Sequence, residues 1–124
     1  MATPKSLGEK IFYVDFTISA GEAVSTESVE TGGGEVVGLI FPSSLDGASV
    51  TFSVSLDNTT FNNLYKADGT EYSVVSGINR YVVIDPNAFS GIRYVKIRSG
   101  TSGIPANQSA ARTIYLVYRR RGFS

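Results

Sequence analysis

Apolar and polar residues alternate along much of the chain with the two-residue period that is typical of half-buried β-strands. In residues 11–18 the odd positions carry Ile, Tyr, Asp and Thr, whereas the even positions carry Phe, Val, Phe and Ile. Residues 49–55 repeat the pattern, with Val50, Phe52 and Val54 set between serines and a threonine. We therefore predict a strand in each segment, with one face directed towards a core.

Five further segments have strand character. Residues 35–41 form a nearly continuous apolar run that ends at Pro42, which cannot donate a hydrogen bond to a neighbouring strand. The other four segments are rich in β-branched and aromatic residues, and they span residues 72–75, 80–85, 92–98 and 113–119.

Turn-forming pairs separate these segments, and Asp68-Gly69 is the strongest hairpin candidate. No segment has the pattern of a capped amphipathic helix of ten residues or more. The sequence therefore predicts an all-β fold, a single antiparallel β-sandwich that is jelly-roll-like and has seven or eight strands. We expect this domain to span residues 11–124 and to follow a flexible polar leader at residues 1–10.

The predicted core consists of apolar residues at the inward positions of these strands. They are Phe12, Val14, Phe16, Ile18, Val37, Leu39, Val50, Phe52, Val54, Val83, Val95, Ile97, Ile114 and Leu116.

The 124-residue chain contains no cysteine and no histidine, and this narrows the chemistry it could perform. A disulfide scaffold and a thiolate metal site are excluded, and the commonest general base is missing. Two carboxylates could still act as a glycosidase pair. However, Asp46, Asp57, Asp68 and Asp85 each precede Gly, Asn or Pro, where an aspartate usually caps its own turn. We predict a protein that is not an enzyme and that binds no cofactor and no metal.

The net charge is zero, but the two signs are distributed unevenly. Residues 1–35 hold six acidic and two basic residues, whereas residues 91–124 hold seven basic residues and no acidic ones. Because nucleic-acid-binding domains usually have a high pI and this pI is near 6.2, we predict no nucleic-acid partner. Two interpretations stay open, since acidic and basic surfaces could meet within a subunit or between subunits.

No run of residues approaches the roughly 18 apolar residues of a membrane span. The first six residues also lack the apolar stretch of a secretory signal. We therefore expect a soluble protein that is made in the cytoplasm and has no membrane partner.

Two groups of residues are candidates for binding. Residues 99–111 form a long loop of small residues, and such loops are usually functional or packed on a neighbour. Five tyrosines are candidates for the surface, where a ring with a polar tip suits a subunit interface, the edge of a core or a sugar-binding platform. They are Tyr65, Tyr72, Tyr81, Tyr94 and Tyr115.

Residues 38–119 contain three segments that together resemble a known group of proteins. They are GLIFP at residues 38–42, DGASVTFSVS at 46–55 and GIRYVKIRSGT at 91–101. This pattern resembles small structural proteins of tailed-bacteriophage and prophage virions, and it covers about two-thirds of the chain. The RYVKI segment also resembles the penultimate strand of galactose-binding-like jelly rolls.

The resemblance implies a capsid decoration (cement) protein, located in the virion on the outer capsid surface. It implies a homotrimer that binds the major capsid protein and stabilises the shell, and it brings no catalytic residues. We expect the partner contacts in the leader and in the basic end of the chain. The candidate residues are Lys5, Lys10, Arg119, Arg120 and Arg121.

Two alternative functions stay open. The first is a receptor- or glycan-binding module of a head or tail fibre, with a site made by exposed tyrosines around loops 57–63 and 99–111. The second is a head-tail junction or tail accessory protein, which would assemble as a ring of six or twelve subunits.

Overall fold

The alternating segments form strands at the positions that the sequence predicts. The computed structural model describes residues 5–6, 11–32 and 34–120 and is 45% strand and 4% helix. Its strands are β1 (Lys5–Ser6), β2 (Ile11–Ile18), β3 (Val29–Glu30), β4 (Glu35–Ile40), β5 (Ser49–Ser55), β6 (Asn62–Asn63), β7 (Val74–Val75), β8 (Tyr81–Val83), β9 (Tyr94–Ser99) and β10 (Arg112–Arg119).

These strands form two antiparallel sheets that share one core. Sheet A has the strand order β1-β2-β10-β4-β8, and sheet B has the order β3-β9-β5-β6 with β7 also paired to β5. The predicted all-β antiparallel sandwich is therefore confirmed. The described residues contain more strands than the seven or eight predicted, because β1, β3 and β6 have only two residues each and are too short to show a period.

A single short 3-10 helix is present in the described residues, at Pro86–Phe89. The side chain of Asp85 accepts a hydrogen bond from the backbone N–H of Asn87 and so caps its first turn. Within the described residues, no helix is both long enough and apolar enough to cross a membrane.

The inward positions of both sheets meet in the core, which confirms most of the predicted residues. An aromatic contact joins sheet B to the 3-10 helix, since the rings of Phe52 and Phe89 pack nearly perpendicular with centroids 5.0 Å apart. Phe12 and Val54 are only partly buried at the margin of the core.

A β-bulge in β4 makes the prediction for Val37 wrong. Gly38 pairs with Val117 and Val36 pairs with Tyr118, so Val37 is an extra residue without a partner in β10. An extra residue reverses which face of the sheet each following side chain points to. Val36 therefore lies in the core, whereas Val37 is only half-buried.

The prediction for Val83 is also wrong, because this side chain is 79% exposed on the outer face of sheet A. Its neighbours Val82 and Ile84 face the core instead. Residues 81–84 are apolar at every position, so periodicity could not decide which of them point inwards.

Arg98 is buried although it lies on the outer face of sheet B, opposite Thr51. The predicted Asp68-Gly69 hairpin is confirmed by the pairing of Tyr65 with Glu71, and Glu71 forms an ion pair with Arg98 at 3.4 Å. The guanidinium also donates hydrogen bonds to three uncharged side chains, those of Thr51, Ser53 and Asn63. Arg98 therefore joins β5, β6, β9 and the hairpin.

The long loop at residues 99–111 packs against its own sandwich. Buried Gln108 accepts a hydrogen bond from the backbone N–H of Asp46 and donates one to its carbonyl, both at 2.9 Å. The backbone N–H of Ser102 donates to the Glu71 carboxylate at 3.1 Å. These bonds hold the loop to the connection before β5 and to the hairpin.

Because of the bulge, we expect truncation of Val36 and truncation of the adjacent Val37 to lower the free energy of unfolding by different amounts. Val36→Ala should lower the free energy of unfolding by about 2 kcal/mol, because it removes buried methyl groups and leaves a cavity. Val37→Ala is the matched control and should cost less than half as much. Urea denaturation measures both values, and equal losses would contradict the observed register.

Candidate functional site

Apolar and aromatic side chains cover part of the outer face of sheet A, where a sandwich normally presents polar residues to solvent. The exposed fraction is 38% for Tyr115, 49% for Tyr81 and 37% for Ile40. We use the name tyrosine face for five residues of this surface, Tyr13, Ile40, Tyr81, Val83 and Tyr115.

Strand register makes the tyrosine face continuous. Tyr115 in β10 lies opposite Ile40 in β4, which in turn lies opposite Tyr81 in β8. On the other side of β10, the rings of Tyr13 and Tyr115 meet edge to face, with centroids 5.7 Å apart and planes at 72°. The face therefore crosses the four adjacent strands β2, β10, β4 and β8.

Gly38 in β4 allows the ring of Tyr81 to lie against the sheet. A Cβ atom at position 38 would overlap the ring of Tyr81, so no other residue fits there without displacing it. Val117, opposite Gly38 and Tyr13, is nearly buried and forms the floor between the tyrosines. The absence of a side chain at position 38 thus lets the ring of Tyr81 lie close to the backbone of β4.

Arg119 lies at one end of the tyrosine face. It shares the outward side of β10 with Tyr115, and its Nε donates to the Glu35 carboxylate at 2.8 Å. Arg120 is placed differently, with its guanidinium carbon 5.2 Å from the ring centroid of Phe12. Contact of either arginine with a partner stays a prediction.

The other predicted partner residues lie near the start and the end of the chain. Lys5 is in β1, where its backbone lies opposite Tyr13. Lys10 and Arg121 lie outside the described residues, as does most of the predicted leader.

Acidic residues from the first third of the chain and basic residues from the last third form ion pairs within the subunit. Arg93 forms an ion pair with Glu30 at 2.7 Å, and Arg119 forms one with Glu35. Both pairs join the acidic first third of the chain to the basic last third. Ion pairs at the protein surface contribute little to stability, because water screens them.

The remaining tyrosines do not combine into one site. Tyr72 packs against Phe52 and Phe89, and burial raises its pKa. Loops 57–63 and 99–111 lie at opposite ends of β5, because Ser55 pairs with Tyr94 whereas Val50 pairs with Ser99. The expectation of a tyrosine site shared by these two loops is therefore wrong.

A cleft of about 400 Å³ lies beside loop 57–63 and has a partly apolar lining. Leu56 and Ile92 contribute to its wall and Asn62 to its rim, and no aromatic side chain is among its lining residues. The cleft therefore offers no ring on which a sugar could stack.

The aspartates hold turns in place. Asp57 accepts hydrogen bonds from the backbone N–H groups of Thr60 and Thr59, which lower its pKa. Asp46 differs from the expected pattern, because its carboxylate accepts a hydrogen bond from the backbone N–H of Ser109 in the distant 99–111 loop. In the part of the chain that the structure describes, no three acidic side chains are grouped so that they could hold a metal ion.

The chain matches no protein-family model and no curated protein sequence. Among solved structures it is similar to the carbohydrate-binding module CBM32-1 from a family 31 glycoside hydrolase of Clostridium perfringens. The identity is 14% over 95% of this chain and 75% of that one, with a TM-score of 0.34. It is also similar to the structure of infectious bursal disease virus, Gx strain, at 14% identity over all of this chain and 31% of that one, with a TM-score of 0.25. Likeness at this level does not bear on function.

The hydrogen bonds to the aspartates predict acid sensitivity. The pKa values of Asp46, Asp57 and Asp68 are lower in the folded chain than the ordinary 3.8, because N–H and O–H groups donate to their carboxylates. Stability from a lowered pKa is present above the unfolded pKa and is lost as the pH falls through the folded pKa. We therefore expect the free energy of unfolding to decrease below about pH 5, measured by urea denaturation. Asp57→Asn should make this decrease shallower. If the slope of stability against pH is unchanged in the variant, the hydrogen bonds to Asp57 are not a cause of the acid sensitivity.

Proposed function

We propose that the protein is a capsid decoration protein that binds the outer surface of a bacteriophage shell through the tyrosine face. The observation that carries the proposal is the row of exposed Tyr, Ile and Val side chains on strands β10, β4 and β8 of sheet A, which continues to the half-buried Tyr13 in β2. A contiguous apolar surface of this kind marks an interaction site, and tyrosine is enriched at protein interfaces. The resemblance of residues 38–119 to virion structural proteins supplies the partner, the major capsid protein.

The geometry of the rings favours a protein partner over a sugar. A pyranose stacks on an open ring face, whereas Tyr13 and Tyr115 pack edge to face at 72° and do not form a flat platform. Ile40 and Val83 add aliphatic surface, which suits burial against another protein. The chain has no tryptophan to provide a larger platform.

A decoration protein needs affinity for a repeated surface, and it needs no catalytic group. Several copies held together bind several shell subunits at once, so that modest individual contacts give strong overall binding. Arg119 and Glu35 at the end of the tyrosine face provide polar contacts at its rim, which matches the usual arrangement of an apolar centre within a polar border.

The proposal predicts that truncation of the central tyrosine weakens binding to the shell. Tyr115→Ala should reduce affinity for empty shells of the phage or prophage that encodes this chain by about 30-fold, the effect of losing roughly 2 kcal/mol at a binding hot spot. Co-sedimentation over a concentration series measures the affinity. Tyr65→Ala is the matched control, because Tyr65 is 52% exposed but belongs to the hairpin beside sheet B.

Three results would contradict the proposal. The wild-type chain could fail to sediment with the shells, or Tyr115→Ala and Tyr65→Ala could bind equally well. Saturable binding on a glycan array that is lost in Tyr115→Ala would assign the same face to the alternative function, a fibre module that recognises glycans.

A further inference from the structure

We propose that β8 is a self-association edge, and that two copies of the chain pair their β8 strands antiparallel across a two-fold axis, which joins their A sheets into one. The strand lies at the end of sheet A, so among the residues that the structure describes no strand pairs with the outer side of its backbone. Natural proteins protect such an edge with a very short strand, charged side chains, a bulge or a covering loop. The strand β8 is short, with three residues, but none of the three is charged. In β8, Tyr81 and Val83 are uncharged and exposed.

The hydrogen bonds to β4 show which backbone groups point outwards. The N–H of Phe41 donates to the carbonyl of Arg80, and the N–H of Ile84 donates to the carbonyl of Val37. In an antiparallel pair, alternate residues point their N–H and C=O groups towards the partner strand. Arg80, Val82 and Ile84 therefore face β4, and the backbone groups of Tyr81 and Val83 are directed away from the sheet.

This arrangement fits a symmetric pair of strands. With Val82 of both copies on the two-fold axis, Tyr81 of each copy lies opposite Val83 of the other. Each of these two pairs exchanges two N–H to C=O bonds, which satisfies the outward groups of both strands. The side chains of Tyr81 and Val83 share the outer face, where aromatic and β-branched residues on opposite strands interact favourably.

Charge at the two ends of the strand favours a second copy in antiparallel orientation. Arg80 precedes β8 and Asp85 follows it, and both residues are exposed. Antiparallel pairing brings the basic end of each copy beside the acidic end of the other. Parallel pairing would instead place like charges together. The strand is thus self-complementary in charge as well as in hydrogen bonding.

The local structure also restricts the register. Asn79 has a positive φ of 52°, and Pro86 begins the 3-10 helix, so the extended backbone is confined to the residues between them. A short edge with two outward-facing residues allows few alternative pairings. The inference concerns the chain in solution and does not depend on capsid binding; it predicts a dimer in place of the trimer implied by the resemblance.

The first test is the mass of the protein in solution, by light scattering behind a sizing column over a concentration series. We expect twice the chain mass of 13.3 kDa. Val83→Lys should reduce the mass to that of one chain, because it places a charged side chain beside the facing strand in each copy and brings two like charges near the axis. Ile104→Lys should remain dimeric, since Ile104 is equally exposed at 80% but lies in the loop beside sheet B. Circular dichroism verifies that both variants fold.

The second test determines the register of the two β8 strands with a disulfide, and it does not depend on a charge that disrupts the dimer. The chain contains no cysteine, so Val82→Cys introduces a single thiol on the proposed axis. Non-hydrogen-bonded antiparallel pairs have Cα atoms about 4.5 Å apart, within the range of about 4.4–6.8 Å that a disulfide spans. Mild oxidation should therefore convert Val82→Cys into a covalent dimer, whereas Ile104→Cys should remain a single chain.

A monomer at every concentration, or a trimer, would overturn the inference. A dimer that persists in Val83→Lys and does not form the Val82→Cys disulfide would show that another surface mediates association, which also overturns it. A dimer with the expected disulfide supports it, whether or not the protein binds shells.

Discussion

The β-bulge in β4 is the constraint on which the two faces of sheet A depend. Because Val37 is an extra residue opposite β10, Val36 joins the core while Gly38 and Ile40 face outwards. Without this shift the apolar residues of the strand would be divided differently between the core and the surface. The bulge thus helps to fill the interior and also places Gly38 where the ring of Tyr81 can lie on the sheet.

A second constraint is that buried polar groups must have partners. Arg98 is stable in its buried position because it forms an ion pair with Glu71 and donates hydrogen bonds to three neutral side-chain oxygens. Gln108 acts similarly in the long loop, where it pairs with both backbone groups of Asp46. Removing one partner from such a network leaves an unsatisfied group, which costs more than the bond itself contributes. Sheet B is therefore covered by ordered segments, and its outer face differs from the open face of sheet A.

The open face and the open edge of sheet A give the two proposals a common structural basis. A pair of β8 strands would place two tyrosine faces side by side, so that dimerisation would double the surface presented to a repeating shell. Binding through both halves would then gain from effective concentration. Tyr115 lies in β10, away from the β8 edge, so its truncation can weaken shell binding without changing the paired strands, whereas Val83 belongs to both the face and the edge.

The sequence by itself determined the fold class and most of the core, since the two-residue period of segments such as β2 and β5 depends only on which residues are apolar. It also indicated the Asp68-Gly69 hairpin, because the chemistry of that turn is local. Only the tertiary structure decided the orientation of Val37 and Val83, since a bulge depends on the neighbouring strand and a fully apolar edge segment has no period to read. Sequence reasoning named Tyr81 and Tyr115 as surface candidates, which the structure bears out, but it could not place them in one face with Tyr13 and Ile40. Tyr13, Ile40 and Tyr115 are far apart in the chain and meet only through the order of the strands.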